Sequence, residues 1–276
     1  MAKHIAREVL PDYKNYYICL NYKSMRKIAL VTGATSGIGN ACASILAQNG
    51  FDVIITGRRK NLLHKTAEEI RSSSDADVLS LSFDVRIKEE VEAQLRMLEG
   101  KWKNIDLLVN NAGLAAGFGH IDEGDTEDWE QMIDTNIKGL LYVSRVIIPG
   151  MVERGSGHIV NLGSVAGKEV YEYGNVYCAS KHAVDAITKG MRVDLVGNNI
   201  KVSSISPGAV ETEFSMVRFK GDTEKAAGVY RGFTPLVAQD IAETLLFIVS
   251  RPAHVNINDI YIMPTAQANS CKTVRK

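Results

Sequence analysis

A short apolar run that ends in a glycine-rich turn is the feature that most limits the folds open to this chain. Lys27 to Val31 is apolar and partly β-branched, and it leads directly into Thr32-Gly33-Ala34-Thr35-Ser36-Gly37-Ile38-Gly39. This order predicts a buried strand, a tight turn and the start of a helix. Such a turn binds a pyrophosphate, because glycines let the backbone approach closely and the helix N-terminus faces the anion. The predicted coenzyme contacts here are Gly33, Thr35, Ser36, Gly37, Ile38 and Gly39.

Strand and helix patterns then alternate along the rest of the chain. The predicted strands are Lys27 to Val31, Asp52 to Thr56, Val78 to Phe83, Asp106 to Asn110, His158 to Leu162, Lys201 to Ser206 and Ile260 to Met263. This alternation, with right-handed crossovers, predicts an α/β fold: a single-domain Rossmann-type doubly wound parallel sheet flanked by helices. A chain of 276 residues can form one such domain. We assign it residues 25–276, and we predict that residues 1–24 are a poorly ordered N-terminal extension.

The end of the second strand indicates which dinucleotide binds. In this kind of fold an acidic residue about 20 positions after the glycines holds the adenosine ribose, whereas an arginine suits a 2′-phosphate. Here the strand runs into Arg58 and Arg59, and no carboxylate stands at its end. The sequence therefore predicts NADP rather than NAD, because a guanidinium binds phosphate with charge and a planar fork of donors. The alternative is an exposed basic pair that opens the next helix.

Further coenzyme contacts are predicted after other strands, because ligands bind at the carboxyl ends of parallel strands. Asp84 follows the third strand, where it would accept a hydrogen bond from the adenine amino group, and Val85 would pack on the adenine ring. Asn111 follows the fourth strand. The segment after the sixth strand would pass the nicotinamide carboxamide, and its predicted contacts are Pro207, Gly208, Val210 and Thr212.

Tyr177 and Lys181 are one helical turn apart and therefore lie on the same helix face. A tyrosine ionises near pH ~10, so acid–base work near neutrality requires about 4 kcal/mol of extra phenolate stabilisation. An ammonium at ~4 Å supplies about that much at an effective dielectric of ~20. Taken alone, such a pair is also common on a solvated helix face.

Together these motifs resemble those of the short-chain dehydrogenase/reductase family. The resemblance spans almost the whole chain from Met25 onward and includes Asn110-Asn111-Ala112-Gly113, Asn136, Ser164, Tyr177 with Lys181, and Pro207-Gly208. Within that family the sequence more closely resembles the NADP-dependent 3-hydroxy acid dehydrogenases that act on serine or allo-threonine. The similar stretches are residues 104–115, 132–136, 149–154, 174–177, 213–222 and 252–258.

The resemblance implies a catalytic role for four residues. Tyr177 would exchange the proton of the substrate hydroxyl, and Lys181 would lower the pKa of Tyr177 and bind the nicotinamide ribose. Ser164 would donate a hydrogen bond to the reacting oxygen, and Asn136 would anchor a water that relays protons from Lys181. The alternative for Ser164 is a loop residue or a helix cap, and for Asn136 a polar residue satisfied by backbone within a helix.

Residues 214–232 are predicted to form a lid over the substrate. A 3-hydroxy acid brings a carboxylate that needs a cation, and Arg218 or Lys220 on this lid would supply it. Arg154 is a weaker candidate, because it stands near the end of a helix, where cations are favoured by the dipole. We assign substrate binding to Ser164 and Arg218; the alternative is that these cations are solvated surface residues.

The bulk composition argues against several classes of partner. The 32 basic and 32 acidic residues balance, so no overall electrostatic attraction to nucleic acid or to an anionic membrane is expected. The four cysteines and six histidines lack metal-site spacing, and we predict no metal and a cytoplasmic location. No apolar run reaches the ~20 residues that span a bilayer.

Segments 129–153 and 175–196 carry apolar residues on more than one face, and the resemblance implies a homotetramer built from them.

The predicted function is an oxidoreductase that transfers a hydride between NADP and a small 3-hydroxy acid of the serine, allo-threonine, 3-hydroxyisobutyrate or 3-hydroxypropionate type. The alternative is a 3-oxoacyl-carrier-protein reductase or a broad carbonyl reductase. Against the first of these, that relative ends in an Asp-Gly-Gly strand, whereas Ile260 to Thr265 stands here. A third possibility is a non-catalytic NADP-sensing protein, which would not need the proton-transfer residues.

Overall fold

Seven parallel strands form the central sheet of the protein. The computed structural model describes residues 26–276, so the predicted extension over residues 1–24 lies outside the described residues. The strands of this sheet are Lys27–Val31 (β1), Phe51–Gly57 (β2), Val78–Ser82 (β3), Leu107–Asn110 (β4), Gly157–Leu162 (β5), Ile200–Pro207 (β6) and Asp259–Ile262 (β9). Two short strands, Val210–Glu211 (β7) and Leu236–Val237 (β8), pair with each other.

Helices connect the strands. They are Gly37–Gln48 (α1), Lys60–Ser73 (α2), Lys88–Arg96 (α3), Thr126–Ile133 (α4), Leu140–Arg154 (α5), Asn175–Leu195 (α6), Phe214–Arg218 (α7), Thr223–Gly228 (α8) and Ala238–Val249 (α9). A π-helical turn over Asp134–Gly139 joins α4 to α5. Short 3₁₀ turns cover Gly100–Lys103, Val165–Gly167 and Val196–Asn198.

The strand order β3-β2-β1-β4-β5-β6-β9 confirms the predicted doubly wound sheet. The central strand β1 is paired on both sides: Leu30 faces Ile54 of β2 and Leu108 of β4 in register. The strand order therefore reverses between β2 and β4, and a crevice opens at the carboxyl ends of β1 and β4. This crevice is where the glycine-rich turn after β1 meets the loop after β4.

Apolar side chains pack on both faces of the sheet, because successive residues of a strand point to opposite sides. Val31 packs with Leu46 of α1 and Leu245 of α9 on one face, whereas Leu30 packs with Met151 of α5 on the other. Each of these side chains is fully buried. Burial at this level contributes about 1.5–3 kcal/mol for each large apolar side chain. The two cores therefore anchor the strands whose carboxyl ends form the base of the crevice.

Within residues 26–276, no helix is both long enough and apolar enough to cross a membrane. The same residues contain no cluster of three histidine, cysteine or acidic side chains that could hold a metal ion.

Candidate active site

A cavity of about 990 Å³ lies at the carboxyl ends of the strands. The part of the cavity beside the glycine-rich turn and the loops after β2 and β3 is its adenosine end. The part beside α6 and the predicted lid, residues 214–232, is its substrate end. All but one of the predicted site residues line it: Gly33, Thr35, Ser36, Gly37, Ile38, Gly39, Arg58, Arg59, Asp84, Val85, Asn111, Ser164, Tyr177, Lys181, Pro207, Gly208, Val210, Thr212 and Arg218. Asn136 lies outside the cavity wall.

The glycine-rich turn has the geometry of an anion cradle. Gly33 has a φ of +66°, which a side chain would strain, and a Cβ on Gly39 would collide with the Gly33 carbonyl oxygen. The Asn111 side chain fixes this turn, because its Nδ2 donates to the carbonyl oxygens of Thr32 at 2.9 Å and Gly33 at 3.1 Å. The first turn of α1 holds no acidic residue that would repel a phosphate. These features fit the pyrophosphate of a dinucleotide at the N-terminus of α1.

Asp84 lies at the adenosine end between two arginines. Arg86 holds it through Nη2 at 2.6 Å and Nε at 3.0 Å from Oδ2, and Arg58 lies 3.6 Å from the same oxygen. Burial opposes ionisation, but the hydrogen bonds and charge of Arg86 hold the pKa of Asp84 below its usual range. Sequence analysis missed Arg86. The signal available was its position two residues after Asp84, within reach of that carboxylate.

Arg59 lies over the glycine-rich turn. Its Nη2 donates to Thr35 Oγ1 at 3.0 Å and to Ser36 Oγ at 2.8 Å, and its Nη1 pairs with Glu213 Oε2 at 3.0 Å. Together with Arg58 it provides two exposed guanidinium groups where the 2′-phosphate of NADP is predicted to lie. The residues present at this end of the cavity thus fit a phosphorylated dinucleotide.

Tyr177 and Lys181 lie on α6, and both side chains are buried. Lys181 Nζ donates to the Leu162 carbonyl at 2.9 Å, and burial lowers the pKa of Lys181 to about 8. Burial and the neighbouring Tyr171 raise the pKa of Tyr177, while the Ser164 hydroxyl and the charge of Arg218 act in the opposite direction. The structure thus departs from the expectation that Lys181 holds the Tyr177 pKa down. Desolvation is the dominant influence, and the cation that opposes it is Arg218.

Ser164 is held beside Tyr177 by the turn that follows β5. Its Oγ accepts from the Ala166 amide at 3.1 Å and caps the 3₁₀ turn Val165–Gly167. Ser164 therefore has the helix-capping role that was its predicted alternative. This bond occupies a lone pair and leaves the hydroxyl hydrogen free. A residue that caps a helix can therefore still donate to Tyr177 or to a reacting oxygen.

Asn136 acts on the loop after β4 from within the π-helical turn. Its Oδ1 accepts from the Leu114 amide at 2.8 Å, and its Nδ2 donates to the Leu114 carbonyl at 2.8 Å and to Ser180 Oγ at 3.0 Å. Both amide hydrogens are committed to protein atoms, so a water anchored by this residue must bind through one of its oxygens. The carboxamide itself positions Leu114 at the edge of the substrate end.

Arg218 lies in an aromatic box at the substrate end. The guanidinium carbon is 4.6 Å from the centre of the Phe118 ring, 5.3 Å from that of Tyr171, 5.7 Å from that of Tyr177 and 6.0 Å from that of Phe219. Its Nε and Nη2 are buried and have no hydrogen-bond partner among the described residues. Buried donors are normally paired, so Nε and Nη2 are available to an acceptor that enters the cavity. Sequence analysis predicted Arg218 but gave no signal for Phe118 or Tyr171.

The other two candidate cations are engaged elsewhere. Lys220 Nζ pairs with Asp128 at 2.9 Å and Asp125 at 3.2 Å, and thereby ties the lid to α4. Arg154 Nη2 donates to the Ile105 carbonyl at 2.5 Å, and Arg154 does not line the cavity. In place of a substrate clamp, Lys220 therefore joins the lid to α4, and Arg154 joins the end of α5 to the segment before β4.

The C-terminal segment also reaches the cavity, which sequence analysis did not anticipate. Arg275 donates to the carbonyl oxygens of Arg231 at 2.5 Å and Val229 at 3.1 Å, and so holds the end of the lid. Gln267 Oε1 accepts from the Ala209 amide at 2.9 Å. These contacts join residues far apart in the chain, and no local pattern predicts them.

Comparison with known proteins gives consistent matches. The family model described as short chain dehydrogenase matches residues 27–223. The NADP-dependent 3-hydroxy acid dehydrogenase YdfG of Salmonella typhi is 46% identical over 242 residues, which is 87% of this chain and 96% of that protein. Sulfoacetaldehyde reductase 2 of Chromohalobacter salexigens is 43% identical over 251 residues, covering 91% of this chain and 99% of that protein.

Solved structures agree with these relatives. The closed form of serine dehydrogenase complexed with NADP⁺ superposes with a TM-score of 0.85 at 44% identity, and covers 90% of this chain and 99% of that chain. Serine dehydrogenase from Escherichia coli gives a TM-score of 0.76 at 41% identity, with coverage of 87% and 99%.

Proposed function

The chain belongs to the short chain dehydrogenase family, and from this premise we propose that it transfers a hydride between NADP and the 3-hydroxyl group of a small 3-hydroxy acid. The candidate substrates are 3-hydroxypropionate, 3-hydroxyisobutyrate, serine and allo-threonine. The observation that most supports this proposal is that two buried nitrogens of Arg218, Nε and Nη2, lack a hydrogen-bond partner among the described residues while the guanidinium lies beside Tyr177. An acid–base group and an anion-binding group then act on one small molecule.

The coenzyme would be held along the cavity by the residues that fit it. The glycine-rich turn would bind the pyrophosphate, Arg58 and Arg59 the 2′-phosphate, Asp84 with Val85 the adenine, and Lys181 the nicotinamide ribose. When bound, the nicotinamide supplies the hydride acceptor for oxidation or the hydride donor for reduction. The protein must place the substrate carbon and move one proton.

Tyr177 would move that proton. Because burial raises its pKa, the phenol is protonated at neutral pH and is set to protonate the developing alkoxide in reduction. In oxidation the phenolate would accept the alcohol proton. Ser164 would donate its free hydroxyl hydrogen to the reacting oxygen, which stabilises negative charge there. Lys181 would contribute a positive charge below its pKa of about 8.

Arg218 would fix the substrate by its carboxylate. In a 3-hydroxy acid the carboxyl carbon is two bonds from the carbon that bears the hydroxyl, so a bidentate pair with Arg218 directs that carbon towards Tyr177. A 3-oxoacyl thioester or a simple ketone lacks a free anion at this spacing. Such substrates would leave the buried guanidinium without an acceptor, which disfavours the 3-oxoacyl-carrier-protein reductase and broad carbonyl reductase alternatives.

A second candidate reaction has the same geometry. In a 2-hydroxyalkanesulfonate the sulfur is also two bonds from the hydroxyl-bearing carbon, and sulfonate oxygens accept from a guanidinium. The similarity to a sulfoacetaldehyde reductase favours this candidate. The two candidates are distinguished by comparing kcat/KM for the reduction of sulfoacetaldehyde with kcat/KM for the reduction of 3-oxopropanoate.

Coenzyme absorbance tests the proposed function. Purified enzyme is given NADP and a panel of 3-hydroxy acids, 2-hydroxyethanesulfonate and uncharged alcohols of equal length, with NAD in parallel. We expect turnover of the anionic substrates with NADP and loss of turnover in Tyr177→Phe. Equal turnover of charged and uncharged alcohols would contradict the proposal, and turnover with neither would favour a non-catalytic NADP-sensing protein.

We further propose a homotetramer in the cytoplasm. Exposed apolar side chains on the two predicted interface helices support association: Leu141 of α5 is 41% exposed and Val193 of α6 is 75% exposed. Light scattering after size exclusion should give four times the mass of one chain. The described cysteines, Cys42, Cys178 and Cys271, are free thiols, which suits a reducing compartment.

A further inference from the structure

The segment between β6 and the lid lies directly on the glycine-rich turn. A Cβ built on Gly37 would be 3.3 Å from Thr212 Cβ, so Thr212 packs against the first turn of α1. Glu213 is the next residue, and its side chain is 57% exposed. The base of the lid thus carries a carboxylate to the adenosine end of the cavity.

This carboxylate binds the arginine that the proposed function assigns to phosphate. Glu213 Oε2 is 3.0 Å from Arg59 Nη1, while Arg59 Nη2 donates to Thr35 Oγ1 and Ser36 Oγ at 3.0 and 2.8 Å. Both terminal nitrogens of Arg59 therefore have protein partners. These three bonds leave Nε–H and one Nη1–H of Arg59 for a 2′-phosphate, which would then share the guanidinium with the Glu213 carboxylate.

Glu213 carries a negative charge at neutral pH. Hydrogen bonds from Ser36 and Arg59, together with the Arg59 charge, lower the pKa of its carboxyl against the opposing effect of burial. A phosphate monoester carries about −1.5 to −2 charges at pH 7. Two anions would then compete for one guanidinium.

We propose that Glu213 competes with the 2′-phosphate of the coenzyme for Arg59 and thereby weakens binding of the phosphorylated coenzyme. The proposal rests on the proposed function, because it takes Arg59 as a ligand of the 2′-phosphate. Glu213 is then a residue that sets coenzyme affinity and the ratio of NADP to NAD binding. Weaker binding favours coenzyme release after each turnover.

The size of the effect follows from exposure. Arg59 and Glu213 are about half exposed, at 49% and 57%, and exposed ion pairs are weak. The phosphate can also use Arg58, which is paired less closely, at 3.6 Å from Asp84. Competition by Glu213 should therefore weaken NADP binding about fivefold, which corresponds to about 1 kcal/mol.

Calorimetry on the full chain tests the role of Glu213 without turnover. The variant is Glu213→Gln, which keeps the shape of the side chain and its hydrogen-bonding capacity but removes the charge. The matched control is Glu211→Gln, an exposed carboxylate two residues earlier that does not line the cavity. The ligands are NADP, NAD, adenosine 2′,5′-bisphosphate and ADP, and thermal unfolding checks that both variants are folded.

We expect Glu213→Gln to lower the Kd of NADP and of adenosine 2′,5′-bisphosphate about fivefold, with NAD and ADP unchanged and Glu211→Gln without effect. Equal tightening of all four ligands would overturn the proposal, because it would indicate a looser lid. Unchanged or weaker NADP binding would also overturn it, since Glu213 would then be neutral or would help to close the cavity. If the unsubstituted enzyme binds no NADP, the proposed function fails first.

Discussion

The guanidinium carbon of Arg218 lies 5.7 Å from the centre of the Tyr177 ring. The two residues come from different elements, since Tyr177 is in the first turn of α6 and Arg218 ends α7. A cation on the lid is thus brought beside a phenol on the sheet-packed body of the protein. A substrate that contacts both must have its anion close to its hydroxyl group.

Removing the Arg218 charge should impair turnover of anionic substrates selectively. Arg218→Ala leaves a substrate carboxylate without its partner, and loss of one member of a buried charged pair costs about 2–5 kcal/mol. We expect kcat/KM for 3-hydroxypropionate to fall about 100-fold, mainly through KM, and that for 1-propanol to change less than about threefold.

Arg218→Lys is the matched variant for this test, because it keeps the charge but lacks the planar fork. It should recover part of the lost kcat/KM. Equal losses for the acid and the alcohol in Arg218→Ala would exclude the carboxylate clamp.

A 2-amino group on the substrate should lower specificity. Among the described residues that line the cavity, the only carboxylic acids are Asp84 and Glu213, and both lie at the adenosine end paired with arginines. The aromatic faces that could hold an ammonium are already occupied by Arg218. An ammonium about 5 Å from a guanidinium costs about 3 kcal/mol at a dielectric of ~20, and solvent reduces this.

We therefore expect kcat/KM for 3-hydroxypropionate to exceed that for serine by about tenfold or more. Initial rates with both substrates at saturating NADP measure the ratio. Equal values would mean that the ammonium has a partner that the cavity walls do not supply.

The pH dependence of reduction should follow Lys181. The pKa of Tyr177 is raised, so the phenol remains a proton donor throughout the neutral range. Lys181 loses its charge as pH rises through about 8. The kcat/KM for NADPH-dependent reduction should therefore be flat below pH ~8 and fall above it, whereas oxidation should rise with pH as phenolate forms. A reduction profile that falls below pH ~7 would indicate another titrating group.

Acid should destabilise the protein through His158. Its Nε2 lies 2.8 Å from Ser203 Oγ, and burial, with the charges of Lys201 and Lys27, lowers its pKa from 6.5 to about 3. Because the folded-state pKa is the lower one, the unfolded chain binds the proton first as pH falls. The stabilisation is complete above pH ~6.5 and is lost towards pH ~3.

Urea unfolding at a series of pH values measures this loss. His158→Gln should reduce the slope of unfolding free energy with pH by up to ~1.4 kcal/mol per unit in that window. His254→Gln, at an exposed position, should leave the slope unchanged. An unaltered slope in His158→Gln would assign the acid transition to other groups.

Local sequence patterns predicted the strands and the glycine-rich turn, but they predicted much less of the substrate end of the cavity. The glycine-rich turn, the strands and the Tyr177–Lys181 pair depend on spacing of a few residues, and these appear in the structure near their predicted positions. The aromatic box does not depend on local spacing. Phe118, Tyr171 and Arg218 come from three separate segments, and only the tertiary fold brings them together.

The pKa argument for Tyr177 shows the same limit. Spacing along a helix placed Lys181 near the phenol, but it gave no measure of how deeply both groups are buried. Desolvation depends on the packing of distant segments, and here it outweighs the charge of a neighbour. The direction of such a shift therefore needs the folded structure.

The lid is docked at both sides by ion pairs: Glu213 with Arg59 at its base, and Lys220 with Asp128 nearer its tip. Mobile ions screen exposed charges over about 8 Å at physiological ionic strength. Added salt should therefore weaken the half-exposed Glu213–Arg59 pair more than the Lys220–Asp128 pair, because the Asp128 carboxylate is largely buried. Michaelis constants measured in dilute buffer and in concentrated salt will therefore refer to an enzyme whose lid is attached with different strength.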